Sequence, residues 1–155
     1  MTIRIRDVLS FSGRDYLVEG TVAYLLAGKR SVMARAVDGD TTAWIEFPDE
    51  EAGPPAERLL VLHEVHDLDL AMPPPESIDY HQLSYVQRLA ARAVIEIGGV
   101  VPDHVTGALQ VWRYRAAGDR HLQIEAGNGR VFMKAGQSVP RGMIDHLPSS
   151  GKGDS

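Results

Sequence analysis

The sequence contains no cysteine among its 155 residues. This absence excludes disulfides, thiolate nucleophiles, thiolate-ligated zinc and iron–sulfur clusters. Long hydrophobic runs are missing too, since no stretch approaches the roughly 20 apolar residues of a membrane-spanning helix. Basic residues are fewer than acidic ones: the sequence has 16 lysines and arginines and 21 acids, which gives a formal net charge of −5. A free-standing nucleic-acid binder needs a basic footprint, so this class is also excluded.

Catalytic motifs are missing as well. No serine lies in a Gly-x-Ser-x-Gly elbow. Residues 28–31 begin with the Gly-Lys pair of a phosphate loop, but Ala23 replaces the first glycine and Arg30 replaces the hydroxyl residue that binds magnesium. Residues 38–40 lack the repeated oxygen ligands of a calcium loop. We therefore predict no catalytic residue, no metal site and no cofactor.

The two ends of the sequence are used to predict the cellular compartment of the protein and the bounds of its domain. Residues 1–7 contain neither the apolar run nor the cleavage site of a secretory signal, so we expect a cytoplasmic protein. Residues 148–155 contain no apolar side chain that could dock on a core, so they are predicted to form a disordered tail. Residues 1–147 are then a single β domain.

Two hairpins are indicated by dipeptides that supply the positive φ angles of tight turns, Asp38-Gly39 and Asn128-Gly129. The predicted strands around these turns, with three further segments of strand composition, are residues 32–37, 41–47, 121–126, 130–134, 16–26, 58–65 and 109–115. The sequence is therefore predicted to form an all-β protein of antiparallel strands.

Residues 79–97 fit both a helix and a strand. Asp79 with Gln82 could form a capping box, and Gly98 could end the helix. The apolar residues at helical spacing are Leu83, Val86, Ala90, Ala93, Val94 and Ile97. The strand interpretation depends on the apolar segment 93–97 and its likeness to residues 16–26. The pattern alone slightly favours the helix.

The strands indicate a weak internal repeat over residues 10–70 and 80–147. In each part a tyrosine, Tyr16 or Tyr85, precedes an apolar strand, glycine and a hairpin. Such a duplication predicts two related antiparallel β units packed together. We expect them to form a sandwich or a partly open barrel with few or no helices.

Several short motifs recur in a known bacterial family. In order, they are Gly13-x-x-Tyr16-x-Val18-x-Gly20, Trp44-Ile45-Glu46, Tyr85, Gly98-Gly99, Val111-Trp112-Arg113-Tyr114, Leu122-x-Ile124-Glu125 and Gly136. Over residues 10–147 these motifs resemble the family called domain of unknown function 4178. The resemblance implies an all-β protein with two similar halves, and it favours the strand interpretation of residues 79–97.

The resemblance implies little about chemistry. No activity, cofactor or catalytic residue is established for the family, so none is carried over. Its members are often encoded beside polyamine aminopropyltransferase-like enzymes and small membrane proteins. The resemblance therefore suggests a role in a membrane-associated or polyamine-linked system.

Charge is unevenly distributed along the chain. Residues 38–79 contain 12 acids and one base, Arg58. The simpler interpretation is that these acids keep a long connection solvated. The alternative is a surface for a cationic partner, and polyamine contact is one such case.

The densest group of possible metal ligands lies in residues 63–69. On a helix, His63 and His66 would share a face, whereas on a strand His63 and Asp67 would share one. The preceding residues 59–62 are typical of a strand, which breaks the histidine pairing that a zinc site would need. A small metal-dependent enzyme that uses this region is the alternative function.

Aromatic residues are few, at two Trp, five Tyr and three Phe. Trp44, Trp112 and Tyr114 lie on predicted strands, and the simpler interpretation is that they fill the core. The alternative is that they form a binding face with Arg113, because Trp, Tyr and Arg dominate binding hot spots. We predict a non-catalytic interaction or ligand-binding β module with these four binding residues and a protein partner, and the oligomeric state stays open.

Overall fold

The computed structural model describes residues 3–48, 56–102 and 107–149. Eleven β-strands follow one another along these ranges, and one 3₁₀ turn precedes the last of them. The elements are β1 Val8–Phe11, β2 Arg14–Leu26, β3 Lys29–Asp38, β4 Thr41–Pro48, β5 Arg58–Glu64, β6 Ser77–Tyr80, β7 Leu83–Gly99, β8 Gly107–Ala116, β9 Arg120–Gly127, β10 Arg130–Pro140, the 3₁₀ turn Arg141–Met143 and β11 Asp145–Leu147. The predicted all-β fold is confirmed. Within the described ranges, no helix has the length and hydropathy needed to cross a membrane.

Eight of the strands close into an antiparallel barrel. Their order around the ring is β2-β3-β4-β5-β10-β9-β8-β7. The ring closes where residues 20–26 of β2 pair with residues 93–99 of β7. The closed barrel is more specific than the predicted sandwich or partly open barrel, and the contact that closes the ring joins segments about 70 residues apart.

Three short strands extend the sheet outside the ring. β1 pairs with the first part of β2, and β11 pairs with β1. β6 pairs in the same way with the first part of β7. Leu9 of β1 and Ile78 of β6 are buried against the barrel wall.

A β-bulge divides each of the two longest strands. The pairing register shifts between Val18 and Gly20 in β2, and between Gln87 and Leu89 in β7. One extra residue reverses which side chains face the barrel. The first part of each strand therefore packs in an outer core, whereas the second part lines the barrel interior.

The pattern of residues 79–97 was ambiguous because apolar residues lie on both faces of β7. Burial alternates without interruption from Leu83 to Ile97, since the bulge moves the inward positions from the outer core to the barrel interior, but exposed positions such as Ala90 are apolar too. Val86 and Val94, which the helical stripe would bury, are both exposed. The strand interpretation, which the family resemblance favoured, is the one that the structure shows.

Buried apolar residues form three separate cores, one inside the barrel and two against parts of its outer wall. The interior core includes Tyr24, Met33, Trp44, Leu62 and Ile95. The first outer core, between β1 and the wall of β2–β5, includes Leu9, Tyr16, Val18, Ala34, Ile45 and Ile144. The second outer core, under β6 and the segment before it, includes Ile78, Tyr85, Trp112, Tyr114, Leu122 and Ile124.

Asp7 joins the N-terminal and C-terminal segments through its buried carboxylate. It accepts hydrogen bonds from Arg4 N at 2.9 Å, His146 Nε2 at 2.6 Å and Ser149 N at 2.6 Å. Burial raises the pKa of Asp7, but these hydrogen bonds lower it by more, so the pKa lies below the ordinary 3.8. Ser149, in the predicted tail, is thus held by a hydrogen bond, and residues 150–155 lie outside the described ranges.

We expect Asp7→Asn to lower the free energy of unfolding by about 2 kcal/mol at neutral pH, because a charged acceptor is lost. A carboxyl with a lowered folded pKa adds stability above its unfolded pKa, and this is lost as the pH falls through the folded pKa. The difference between the two proteins should therefore shrink below pH 3.8. Urea unfolding at several pH values measures it, with exposed Asp145→Asn as the control. A difference that stays constant into acid would contradict this role.

Candidate functional site

A cluster of polar side chains occupies the centre of the barrel. Glu125 of β9 and Lys134 of β10 are buried, and their Oε2 and Nζ atoms lie 2.9 Å apart. Tyr24 Oη donates to Glu125 Oε1 at 2.8 Å, and Gln123 Nε2 donates to Glu125 Oε2 at 2.8 Å. The Lys134 ammonium also lies over the Trp44 ring, 4.5 Å from its centroid. Each buried charge therefore has an oppositely charged or aromatic partner.

Burial and the adjacent charge of Glu125 raise the pKa of Tyr24 well above its ordinary value. The phenol therefore stays protonated and acts as a hydrogen-bond donor. Sequence reasoning missed Tyr24, Gln123, Glu125 and Lys134. The available signal was the alternation of Gln123 and Glu125 with apolar neighbours, which in a one-sided sheet would place them in water.

One end of the barrel opens into a cavity of about 220 Å³, here called the Arg113 mouth. Its lining includes Glu46, Arg58, Arg113, His121 and Gln123. Arg113 and Glu46 form a salt bridge across the mouth. The cavity is smaller than the roughly 300–1,000 Å³ of pockets for drug-sized ligands, so it suits a small molecule.

Two buried polar atoms of this mouth have no hydrogen-bond partner within the described ranges. They are Gln123 Oε1 and Arg113 Nε. The amide orientation of Gln123 is set by Glu125, because only the Nε2 group can donate to that carboxylate. An acceptor and a donor thus remain to be satisfied at one cavity. Buried polar groups are nearly always paired, so this arrangement indicates a bound molecule or ordered water.

Basic side chains dominate the walls around the Arg113 mouth. An adjoining cavity of about 510 Å³ shares Glu46 and Arg113 and adds Lys29 and Arg30. Arg113 pairs with Glu46, and Arg58 lies 3.7 Å from Asp119, so Lys29 and Arg30 supply the positive charge of these walls that is not already balanced within the described ranges. This charge attracts an anionic group.

His121 is the titratable side chain of the Arg113 mouth with a clearly shifted pKa. Burial and the neighbouring charge of Arg115 lower the pKa of His121 from its ordinary value of 6.5. The imidazole is therefore neutral at pH 7, and it can donate or accept a hydrogen bond there.

The opposite end of the barrel opens into a second cavity of about 320 Å³, here called the Trp44 mouth. The residues that line it include the aromatic Trp44 and Phe132, the basic Arg35 and Lys134, and also Met133, Glu64 and His66. Arg35 Nη1 is paired with Glu19 Oε1 at 3.0 Å. This end is therefore more aromatic than the Arg113 mouth.

The four predicted binding residues lie in three different places. Trp44 and Arg113 face the interior, at opposite mouths of the barrel. Trp112 and Tyr114 are on the other face of β8, buried in the second outer core. Tyr114 Oη donates to the Pro75 carbonyl at 2.8 Å, beneath the segment before β6. Trp112 and Tyr114 therefore pack within the second outer core.

Residues 63–69, the alternative metal site, do not converge. His63 Nδ1 donates to the Thr42 carbonyl at 3.2 Å. Asp67 instead accepts hydrogen bonds from Tyr80 Oη at 2.6 Å and His81 Nε2 at 3.0 Å. Across the described ranges, no three metal-ligating side chains come together. Within the described ranges the metal-dependent alternative has no ligand set, because His63 on β5 and Asp67 beyond its end contact separate neighbours.

Comparison with known proteins gives one match. A family model described as Domain of unknown function (DUF4178) matches residues 4–141. This range covers most of the chain and includes both mouths of the barrel. No curated protein and no solved structure matches the sequence or the fold.

Proposed function

The chain belongs to the DUF4178 family, and we propose that it is a non-catalytic β-barrel that binds a small molecule in the Arg113 mouth. The observation that supports this function is the pair of unsatisfied buried atoms, Gln123 Oε1 and Arg113 Nε, at one cavity. A binding function needs no nucleophile or general base.

The lining favours a small 2-hydroxy or 2-amino carboxylate. Its carboxylate would accept hydrogen bonds from Arg113 Nε and the nearby Arg58 guanidinium. Its hydroxyl or ammonium group would donate to Gln123 Oε1. A polyamine fits this mouth poorly, because its ammonium groups would lie beside two arginines. Polyamine contact with the acidic segment 38–79 stays a prediction.

We also infer that the barrel consists of two copies of one β unit. Arg35 pairs with Trp44 across β3 and β4, and Arg113 pairs with Gln123 across β8 and β9. Both arginines are paired with the residue that follows the bulge in the preceding strand, Gly20 or Leu89. The two mouths then lie at equivalent positions of the copies and differ where Gln123 stands in place of Trp44.

We expect Arg113→Lys to weaken binding of a 2-hydroxy carboxylate by about tenfold, because lysine keeps the charge beside Glu46 but lacks the Nε donor. Two matched pairs of probes are L-lactate with propionate and L-malate with succinate, since each pair differs by the hydroxyl. Titrations followed by ¹H–¹⁵N spectra should shift the Gln123 side-chain amide.

The matched control is Arg115→Lys, two residues along β8, where the guanidinium is exposed and paired with Asp119 at 3.0 Å. This variant should bind L-lactate or L-malate within about twofold of the parent protein. Equal binding of the hydroxylated and plain carboxylates would contradict the role of Gln123 Oε1. Spermidine binding that shifts the same amide would contradict the anion preference.

A further inference from the structure

We propose that the Trp44 mouth is a second binding site, for a flat aromatic molecule that has a carboxamide or a similar carbonyl and N–H pair. It lies at the opposite end of the barrel from the Arg113 mouth and stands on separate observations. Its cavity is lined by the Trp44 indole and the Phe132 ring. Aromatic surfaces of this kind favour planar ligands.

The Lys134 ammonium supplies the donor at the inner end of this site. It has three N–H groups, and within the described ranges it has one hydrogen-bond acceptor, Glu125 Oε2. A second N–H interacts at most with the face of Trp44. Lys134 is 2 % exposed and lines the cavity, so a ligand carbonyl could take up the remaining donor.

The charges around the cavity favour a neutral carboxamide over an anion. Lys134 is already neutralised by Glu125, and Arg35 is neutralised by Glu19. Glu64 is the remaining carboxylate of the lining, and it is exposed at the end of β5. It can accept a hydrogen bond from an amide N–H, and it would repel a ligand carboxylate.

The test uses benzamide and benzoate, which share a ring and differ in charge. Trp44 and Trp112 are the two tryptophans of the chain, so two indole N–H signals report on two places, and a Trp112→Phe variant assigns them. We expect benzamide to shift the Trp44 signal and to leave the Trp112 signal in place. Benzoate should bind at least about tenfold more weakly, because of Glu64.

Three exposed positions provide the variants. Glu64→Gln should narrow the preference for benzamide over benzoate to within about threefold, while Glu96→Gln, on the outer face of β7, should leave it unchanged. Val131→Tyr places a ring at the edge of the cavity and should abolish the shift of Trp44. Loss of lactate or malate binding at the Arg113 mouth should not change any of these results.

Three outcomes would overturn the site. The first is a Trp44 signal that does not move with benzamide up to its solubility limit. The second is an equal shift of both tryptophan signals, which would indicate non-specific binding. The third is a Trp44 shift of unchanged size in Val131→Tyr, which would place the ligand elsewhere.

Discussion

Replacement of Lys134 by methionine is expected to lower the free energy of unfolding by roughly 3–5 kcal/mol, the usual result of removing one partner of a buried ion pair. Methionine is nearly the same length, so the loss would come from charge rather than from packing. Glu125 would stay fully buried with the hydrogen bonds from Tyr24 and Gln123, and without a cation. In the folded variant, this carboxylate would have to take up a proton or be hydrated by water that enters the barrel.

Urea unfolding measures this loss, and Lys29→Met is the matched control. Lys29 is exposed at the start of β3, so its replacement should change stability by no more than about 0.5 kcal/mol. The double variant Glu125→Gln with Lys134→Met removes both charges and keeps an acceptor for Tyr24. It should be more stable than the single variant. A single variant as stable as the control would show that the interior pair does not stabilise the barrel.

Local features of the fold could be predicted from the sequence, because they depend on neighbouring residues. The hairpins at Asp38-Gly39 and Asn128-Gly129 formed as expected, since their turns need positive φ angles, which Gly39, Asn128 and Gly129 adopt. Closure of the ring could not be predicted in the same way. It depends on pairing between β2 and β7, and no pattern within either strand identifies its partner.

The candidate site was harder to predict because residues on both faces of β8 are buried. Alternation along β8 correctly separates Arg113 from Trp112 and Tyr114, but it does not say which face points to the interior. In a one-sided sheet the aromatic face would be the inner one. Here the outer core takes Trp112 and Tyr114, and the interior takes the charged residue. Because the outer core covers this part of the wall, the aromatic face of β8 lies outside the barrel and the charged face lies inside, the opposite of what a one-sided sheet would show.

Four glycines of the sequence motifs, Gly20, Gly98, Gly99 and Gly136, lie where the two halves of the ring meet. The halves join through β2 with β7 and through β5 with β10. At the first junction, a Cβ on Gly20 would lie 2.2 Å from the Val100 carbonyl oxygen. At the second, a Cβ on Gly136 would lie 1.9 Å from the Val61 carbonyl oxygen and 2.9 Å from Leu62 Cα. The obstructing atoms belong to the backbone, which cannot move aside as a flexible side chain can.

Gly136→Ala is therefore expected to destabilise the protein by at least about 3 kcal/mol, at the upper end of overpacking costs. The added methyl group would push β10 away from β5, where residues 134–140 pair with residues 58–64. Gly142→Ala is the control, because a Cβ there has no neighbour within 4 Å. Urea unfolding compares the two variants, and amide exchange should accelerate first in β5 and β10. If Gly136→Ala matched the control in stability, the close approach of these strands would not be needed to close the ring. If exchange rose evenly over all strands, the junction would not be the place where the barrel opens.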